Sequence, residues 1–200
     1  GVLELGNTLT VAGTLEFAVP HTLDNGTVVL NDGILNVKQD VLVSSAVTHS
    51  QNSTVDVSTG ATLTLTGGDI DVGAKTLTLS GGGSVANQDQ LILNDPASIL
   101  KLGGIASVKN VSMPATFSTG KLEVSENAIV QNFLNSGLSR VDIQDSKTLS
   151  IEKGFEIPQG KSMEMIGDGG TLSLGDNMTL SGTLKFSSQG TLNSGTVTLN

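Results

Sequence analysis

Nine apolar–x–apolar triplets recur along this chain about every 21 residues, within the period range that marks solenoids and arrays. They are Leu15-Glu16-Phe17, Leu35-Asn36-Val37, Val55-Asp56-Val57, Leu77-Thr78-Leu79, Leu100-Lys101-Leu102, Leu122-Glu123-Val124, Val141-Asp142-Ile143, Met163-Glu164-Met165 and Leu184-Lys185-Phe186. Each alternates as a short strand does, with two side chains in and one out. Two further series lie between them, with members such as Leu63-Thr64-Leu65 and Leu172-Ser173-Leu174, or Leu9-Thr10-Val11 and Met178-Thr179-Leu180. Gly, Asn, Asp and Ser separate the triplets and supply corners. The spacing predicts an all-β parallel solenoid with three short strands per rung and nine to ten rungs. Because the repeat runs nearly end to end, residues 1–200 read as a single continuous segment. Its start in mid-pattern at Gly1 predicts a piece of a longer protein.

Composition fits a narrow bore. Five Phe, no Trp and no Tyr leave the interior to stacked Leu, Val and Ile. Ten basic against nineteen acidic residues give a formal charge of −9, with Arg140 the one arginine. That balance argues against nucleic acid, whose backbone demands clustered Lys and Arg. There is no Cys, hence no disulfide and no thiolate chemistry. No apolar run approaches the roughly 20 residues needed to cross a bilayer as a helix, so no membrane insertion is expected of this segment.

The outward residues of the first triplet series run Glu16, Asn36, Asp56, Thr78, Lys101, Glu123, Asp142, Glu164 and Lys185. Stacked at rung spacing, Glu123, Asp142 and Glu164 would form a column of three carboxylates, which could bind calcium or raise one another's pKa. A solvated strand face relieved by the two flanking lysines explains the same residues. A second outward column is expected to hold Asp24, Leu42, Thr64, Ala86, Ala106, Val130, Ser150, Ser173 and Asn193. The third is expected to hold Thr10, Val29, Thr48, Asp71, Ile92, Ser112, Leu134, Glu156, Thr179 and Thr198. Thr-Leu-Thr at 8–10, 62–64 and 76–78 invites comparison with water-ordering threonine ladders, but the expected register stacks no Thr on Thr through successive rungs.

The least regular stretch, Gly103 to Gly120, predicts a loop projecting from the rod, followed in irregularity by Ser44 to Thr54. Loops on a rigid scaffold are where recognition concentrates, which makes Lys109, Asn110, Pro114 and Phe117 the candidate binding residues. His21 and His49 fall in turn-like contexts without a ligand cluster or nucleophile beside them, so no catalytic residue is assigned. Asp69, Asp71, Gly81-Gly82-Gly83 and Gly167-Asp168-Gly169-Gly170 read as turns rather than calcium loops.

The Gly-Thr-Leu-x-apolar strands at 13–17, 170–174 and 182–186, the period, the absence of Cys and the scarcity of aromatics together resemble the right-handed parallel β-helices of bacterial surface proteins. Autotransporter passenger domains and filamentous-haemagglutinin-like adhesins are the nearest classes. The resemblance implies an exported, extracellular or cell-surface rod without catalytic activity, monomeric in isolation, whose partner is a glycan or protein on a host or neighbouring cell. A polysaccharide-binding or polysaccharide-cleaving β-helix and a phage or viral fibre spacer are the alternatives. Against cleavage stands the shortage of basic catalytic residues and aromatic sugar platforms.

Overall fold

A computed structural model of the chain describes residues 1–113, 118–135, 137–193 and 195–200. Its strands are all short and parallel, and they stack into a β-solenoid. One face is a sheet ordered through ten successive strands from Val2–Glu4 to Gly190–Asn193. A second face stacks nine strands from Thr14–Phe17 to Thr183–Phe186, one per rung. At about 4.8 Å per rung the stack is about 40 Å long.

Period-two alternation decides what fills the bore. On the first face Val41, Leu63, Val85, Val108, Val130, Ile151 and Leu174 sit directly on one another through seven rungs. On the second, Leu77, Leu100, Leu122, Val141, Met165 and Phe186 do the same. All but Phe186 are buried, and each buried side chain of this size contributes about 1.5–3 kcal/mol. Since a rung covers its apolar atoms only with its neighbours, stability accumulates along the stack.

The third face is discontinuous, which the expectation of three separate strands per rung did not foresee. Strands Thr8–Val11, Thr27–Leu30 and Ala46–His49 form one small sheet, and Phe155–Ile157, Met178–Leu180 and Val197–Leu199 another. Between them, Ser107–Met113 and Ala128–Asn135 each continue from the first face into the third without a break. Much of the two stretches expected to project as loops is strand among the described residues. Lys109 and Asn110 lie inside strand Ser107–Met113, and Ser44 to Thr54 contains strand Ala46–His49 and the start of Ser53–Val57. Pro114 and Phe117 fall outside the described residues. His21 begins one strand and His49 ends another, so neither is a turn residue.

Asn110 has a structural task. Its side-chain amide donates to the Asn87 and Gln88 carbonyls, both at 2.8 Å, and its backbone N–H donates to Asn87 Oδ1 at 3.1 Å. Asn132 Nδ2 in turn donates to Asn110 Oδ1 at 2.6 Å. Asn87 is buried, so this ladder satisfies polar groups that water cannot reach where the two faces merge. The glycine runs are also packing devices. A Cβ on Gly81 would lie 2.4 Å from the Val57 carbonyl oxygen, and one on Gly167 2.0 Å from that of Ile143. Both positions therefore admit only glycine as one rung passes over the next.

Candidate functional site

The charged groups that the sequence singled out do share one face, on strands Ile99–Gly103, Ser118–Val124, Leu138–Ile143, Ser162–Met165 and Thr183–Phe186. They do not form the expected column. Lys101, Glu123 and Asp142 stack as predicted, but Arg140, not Asp142, lies opposite Glu164. The chain slips by two residues between these rungs, which separates Glu164 from the other two carboxylates. Similar two-residue slips set Asp56 opposite Ser80 rather than Thr78, and Leu42 opposite Thr22 rather than Asp24.

Side chains on two adjacent columns then interleave by charge. Lys121 Nζ lies 2.8 Å from Glu123 Oε2 and 3.2 Å from Asp142 Oδ2. Lys101 Nζ approaches Glu123 Oε1 at 3.1 Å, and Lys185 Nζ approaches Glu164 Oε1 at 2.7 Å. Hydrogen bonding from Lys121 outweighs partial burial and holds Glu123 below the usual carboxylate range. Lys185 and Ser187 hold Glu164 below it likewise. Burial works against the Lys121 ammonium, but its bonds to Glu123 and Asp142 raise it above the ordinary lysine value. Glu123 and Glu164 are thus shifted opposite to the direction expected of crowded acids, because a cation separates them from their neighbours. Among the described residues no three acids or histidines converge to hold a metal ion.

Arg140 belongs to the same charged pattern, and its charge adds to the pull that holds Glu164 low. It is exposed on strand Leu138–Ile143, stacked between Lys121 and Glu164. Among the described residues its guanidinium makes no ion pair, while Lys101, Lys121 and Lys185 each have a carboxylate within 4.0 Å. Two residues along the same outward face, Leu138 is 46 % exposed.

The other faces carry corrections as well. Val130, expected outward, is fully buried, and Ile129 takes the outward position opposite Ser107 and Ser150. Threonines do stack through successive rungs: three deep at Thr148, Thr171 and Thr191, with Ser150, Ser173 and Asn193 beside them, and in pairs at Thr8 and Thr27, Thr54 and Thr78, and Thr179 and Thr198. Leu134 is 49 % exposed at a groove of about 510 Å³ that also includes Gln90, Phe155 and Pro158. The groove lies where strand Ala128–Asn135 parts from Phe155–Ile157, and Phe133 meets Phe155 edge-on beneath it, ring centres 5.6 Å apart.

The carboxylates of the remaining corners serve the backbone. Asp40 Oδ1 accepts from the Thr62 N–H and Asp69 Oδ1 from the Gln90 N–H, each at 2.8 Å and one rung away. Nothing in the strand alternation could have revealed this, because the pairs are about 21 residues apart.

No family model matches the chain, and no solved structure matches it. Among curated proteins it is similar to the adhesin BmaC autotransporter of Brucella suis biovar 1 (strain 1330), with 26% identity over 164 residues. The match covers 78% of this chain and 4% of that protein, so the chain spans a small fraction of the relative's length. Sequence and fold agree: the chain is a β-solenoid similar to a stretch of a bacterial autotransporter adhesin.

Proposed function

We propose that this chain is a non-catalytic segment of an extracellular bacterial surface adhesin, a stiff rod that holds binding surfaces away from the cell. The observation that carries this reading is the unbroken inward stack, seven aliphatics deep on one face, in a chain similar to an autotransporter adhesin. Backbone ladders and close-packed rows resist bending, and the period lets such a rod be lengthened rung by rung. The charged face favours binding over catalysis: Glu123 and Glu164 are held ionised by lysines on an open strand surface. A general acid needs the opposite shift, in a cleft.

The test is display of the chain on the surface of a laboratory bacterium, with adhesion to epithelial cells and to a glycan array measured with calcium and again with chelator. Adhesion above that of cells displaying an unrelated β-solenoid supports the reading. Equal adhesion by the two displays, or release of cleaved sugar from any arrayed glycan, overturns it.

A further inference from the structure

We propose that the groove beside Leu134, where the third face parts between strands Ala128–Asn135 and Phe155–Ile157, binds an uncharged sugar residue of a glycan. The inference rests on the adhesin reading above and gives it a site and a ligand class. The backbone creates the groove. The ladder between these two rungs is still closed where the Lys153 N–H donates to the Gln131 carbonyl at 3.1 Å. Beyond that point, among the described residues, Phe133–Asn135 pairs with Val111–Met113 and Phe155–Ile157 with Met178–Leu180, and no ladder joins the two. A peptide strand inserted between them would need the edges about 9.6 Å apart, which is two strand spacings. Cα atoms of the two strands come within 8 Å of one another. The opening therefore suits a small ligand rather than an added strand. Its volume of about 510 Å³ falls in the range of about 300–1,000 Å³ usual for small-molecule sites.

Ser112 singles this groove out. It is 6 % exposed and lines the groove, and among the described residues its hydroxyl has no hydrogen-bond partner. The other buried polar side chains are either satisfied or closed off. Ser53, Asn87, Ser98 and Ser139 donate to backbone carbonyls, and Ser45 Oγ is sealed from solvent. An unpaired buried hydroxyl is costly to the fold, and a ligand in the groove would supply the partner. Ser112 stacks between Ile92 and Leu134, and Leu134 is 49 % exposed, with Phe155 and Pro158 in the same lining. Apolar surface of that kind takes the C–H face of a pyranose ring, while Ser112, Gln90 and Glu156 offer donors and acceptors to its hydroxyls. Charge decides the class of sugar. Glu156 brings a carboxylate to the lining, and no cation accompanies it among the described residues, on a chain of formal net charge −9. An acidic sugar would meet like charge there, whereas a neutral one would not.

The experiment follows the leucine methyl NMR signals of the purified chain as cellohexaose, mannohexaose, lacto-N-neotetraose, a hyaluronate hexasaccharide and an oligolysine are added in turn. Affinities of the native chain and three variants are measured by calorimetry. At least one neutral oligosaccharide is expected to shift the Leu134 methyls and to bind more tightly than the hyaluronate fragment and the oligolysine. Leu134→Ser is expected to weaken that binding about tenfold by removing the apolar wall. Ser112→Ala is expected to weaken it about fivefold and to leave the urea midpoint unchanged or raised, because the hydroxyl it removes has no partner in the fold. Leu42→Ser, at an exposed leucine on the first face, is expected to change affinity by less than about twofold. Urea unfolding identifies any variant that fails to fold. In that event the remaining variant carries the comparison, and the Leu134 methyl shifts of the native chain decide if both fail. The proposal is overturned if none of the three neutral oligosaccharides binds, or if the bound sugar shifts other methyls and not those of Leu134. It is equally overturned if the hyaluronate fragment or the oligolysine binds as tightly, or if Leu42→Ser costs as much as Leu134→Ser. Adhesion by the displayed chain that survives Leu134→Ser would overturn this inference and leave the adhesin reading standing. With no adhesion at all the adhesin reading falls, and the titration still decides the groove.

Discussion

The two halves of the rod are joined by one bore and stabilised outside it by different means. Residues 1–95 contain ten acidic side chains and two lysines, whereas residues 96–200 contain nine acidic and eight basic ones. Among the described residues all five ion pairs lie in the second half. In the first half the acids act as acceptors for neighbouring rungs. Glu16 takes a bond from Asn36, Asp56 from Ser80, Asp40 from the Thr62 N–H and Asp89 from the Gly68 N–H. Rungs can therefore be tied across about 21 residues either by carboxylates that accept from the backbone or by alternating charge. The first arrangement leaves like charge unscreened along the rod, and the second cancels it.

If the bore is common to both halves, breaking it should cost the same in each. Leu77→Asp and Leu122→Asp each place an unpaired charge among buried aliphatics and should each cost about 4 kcal/mol or more in urea unfolding. Thr78→Asp, outward beside Lys101, should stay within about 0.5 kcal/mol. A large difference between the two leucines would show that the halves unfold as separate units. Where the faces merge, Asn110→Ala should cost about 2–3 kcal/mol by removing the side-chain donor to the Asn87 and Gln88 carbonyls and the acceptor of the Asn132 amide, read by the same urea unfolding. Asp40→Ala, which strands a single backbone N–H at an exposed corner, should cost about 1 kcal/mol. Breaking the exposed Glu126–Lys147 pair by Glu126→Ala should cost about 0.5 kcal/mol or less. Those two results would rank backbone acceptance above surface ion pairing.

Solvent conditions sharpen the contrast with smaller effects. Raising salt to 1 M should increase amide-exchange protection in residues 1–95, where screening relieves acidic repulsion, and decrease it on strands Ser118–Val124 and Ser162–Met165, where it weakens ion pairs. Protection that moves in one direction throughout would refute the division. Acid should act on the second half first. Glu123 and Glu164 bind a proton less readily in the fold than in the unfolded chain, where carboxylates titrate at about 4.3. Their stabilisation is present above that value and is lost as pH falls through their lower folded values. Glu123→Gln should flatten this loss on its own and neighbouring strands.

Much of this was legible in the triplets, because inside and outside alternate with period two and a narrow bore tolerates only aliphatic rows. Leu122, Val141 and Met163 are buried where alternation places them. What alternation cannot see is a shift of two residues. A slip of one turns every side chain to the wrong face and would betray itself in the pattern, whereas a slip of two keeps each face and changes only the neighbours. Glu164 moved from Asp142 to Arg140 in that way, so the expected acidic column dissolved while the burial pattern survived. Asn110 was misplaced for a related reason: an Asn in an irregular stretch reads as loop until Asn87 and Asn132 are seen stacked on it.

By itself, then, the sequence determined the solenoid, its period and most of the residues that line its bore, since burial follows from alternation along a single strand. Val130, where two faces merge, turned inward against that expectation. Only the tertiary structure decided which outward side chains meet. That depends on how many residues each corner consumes, and corner geometry is set by backbone contacts between rungs, as at Gly81 against Val57 and Gly167 against Ile143.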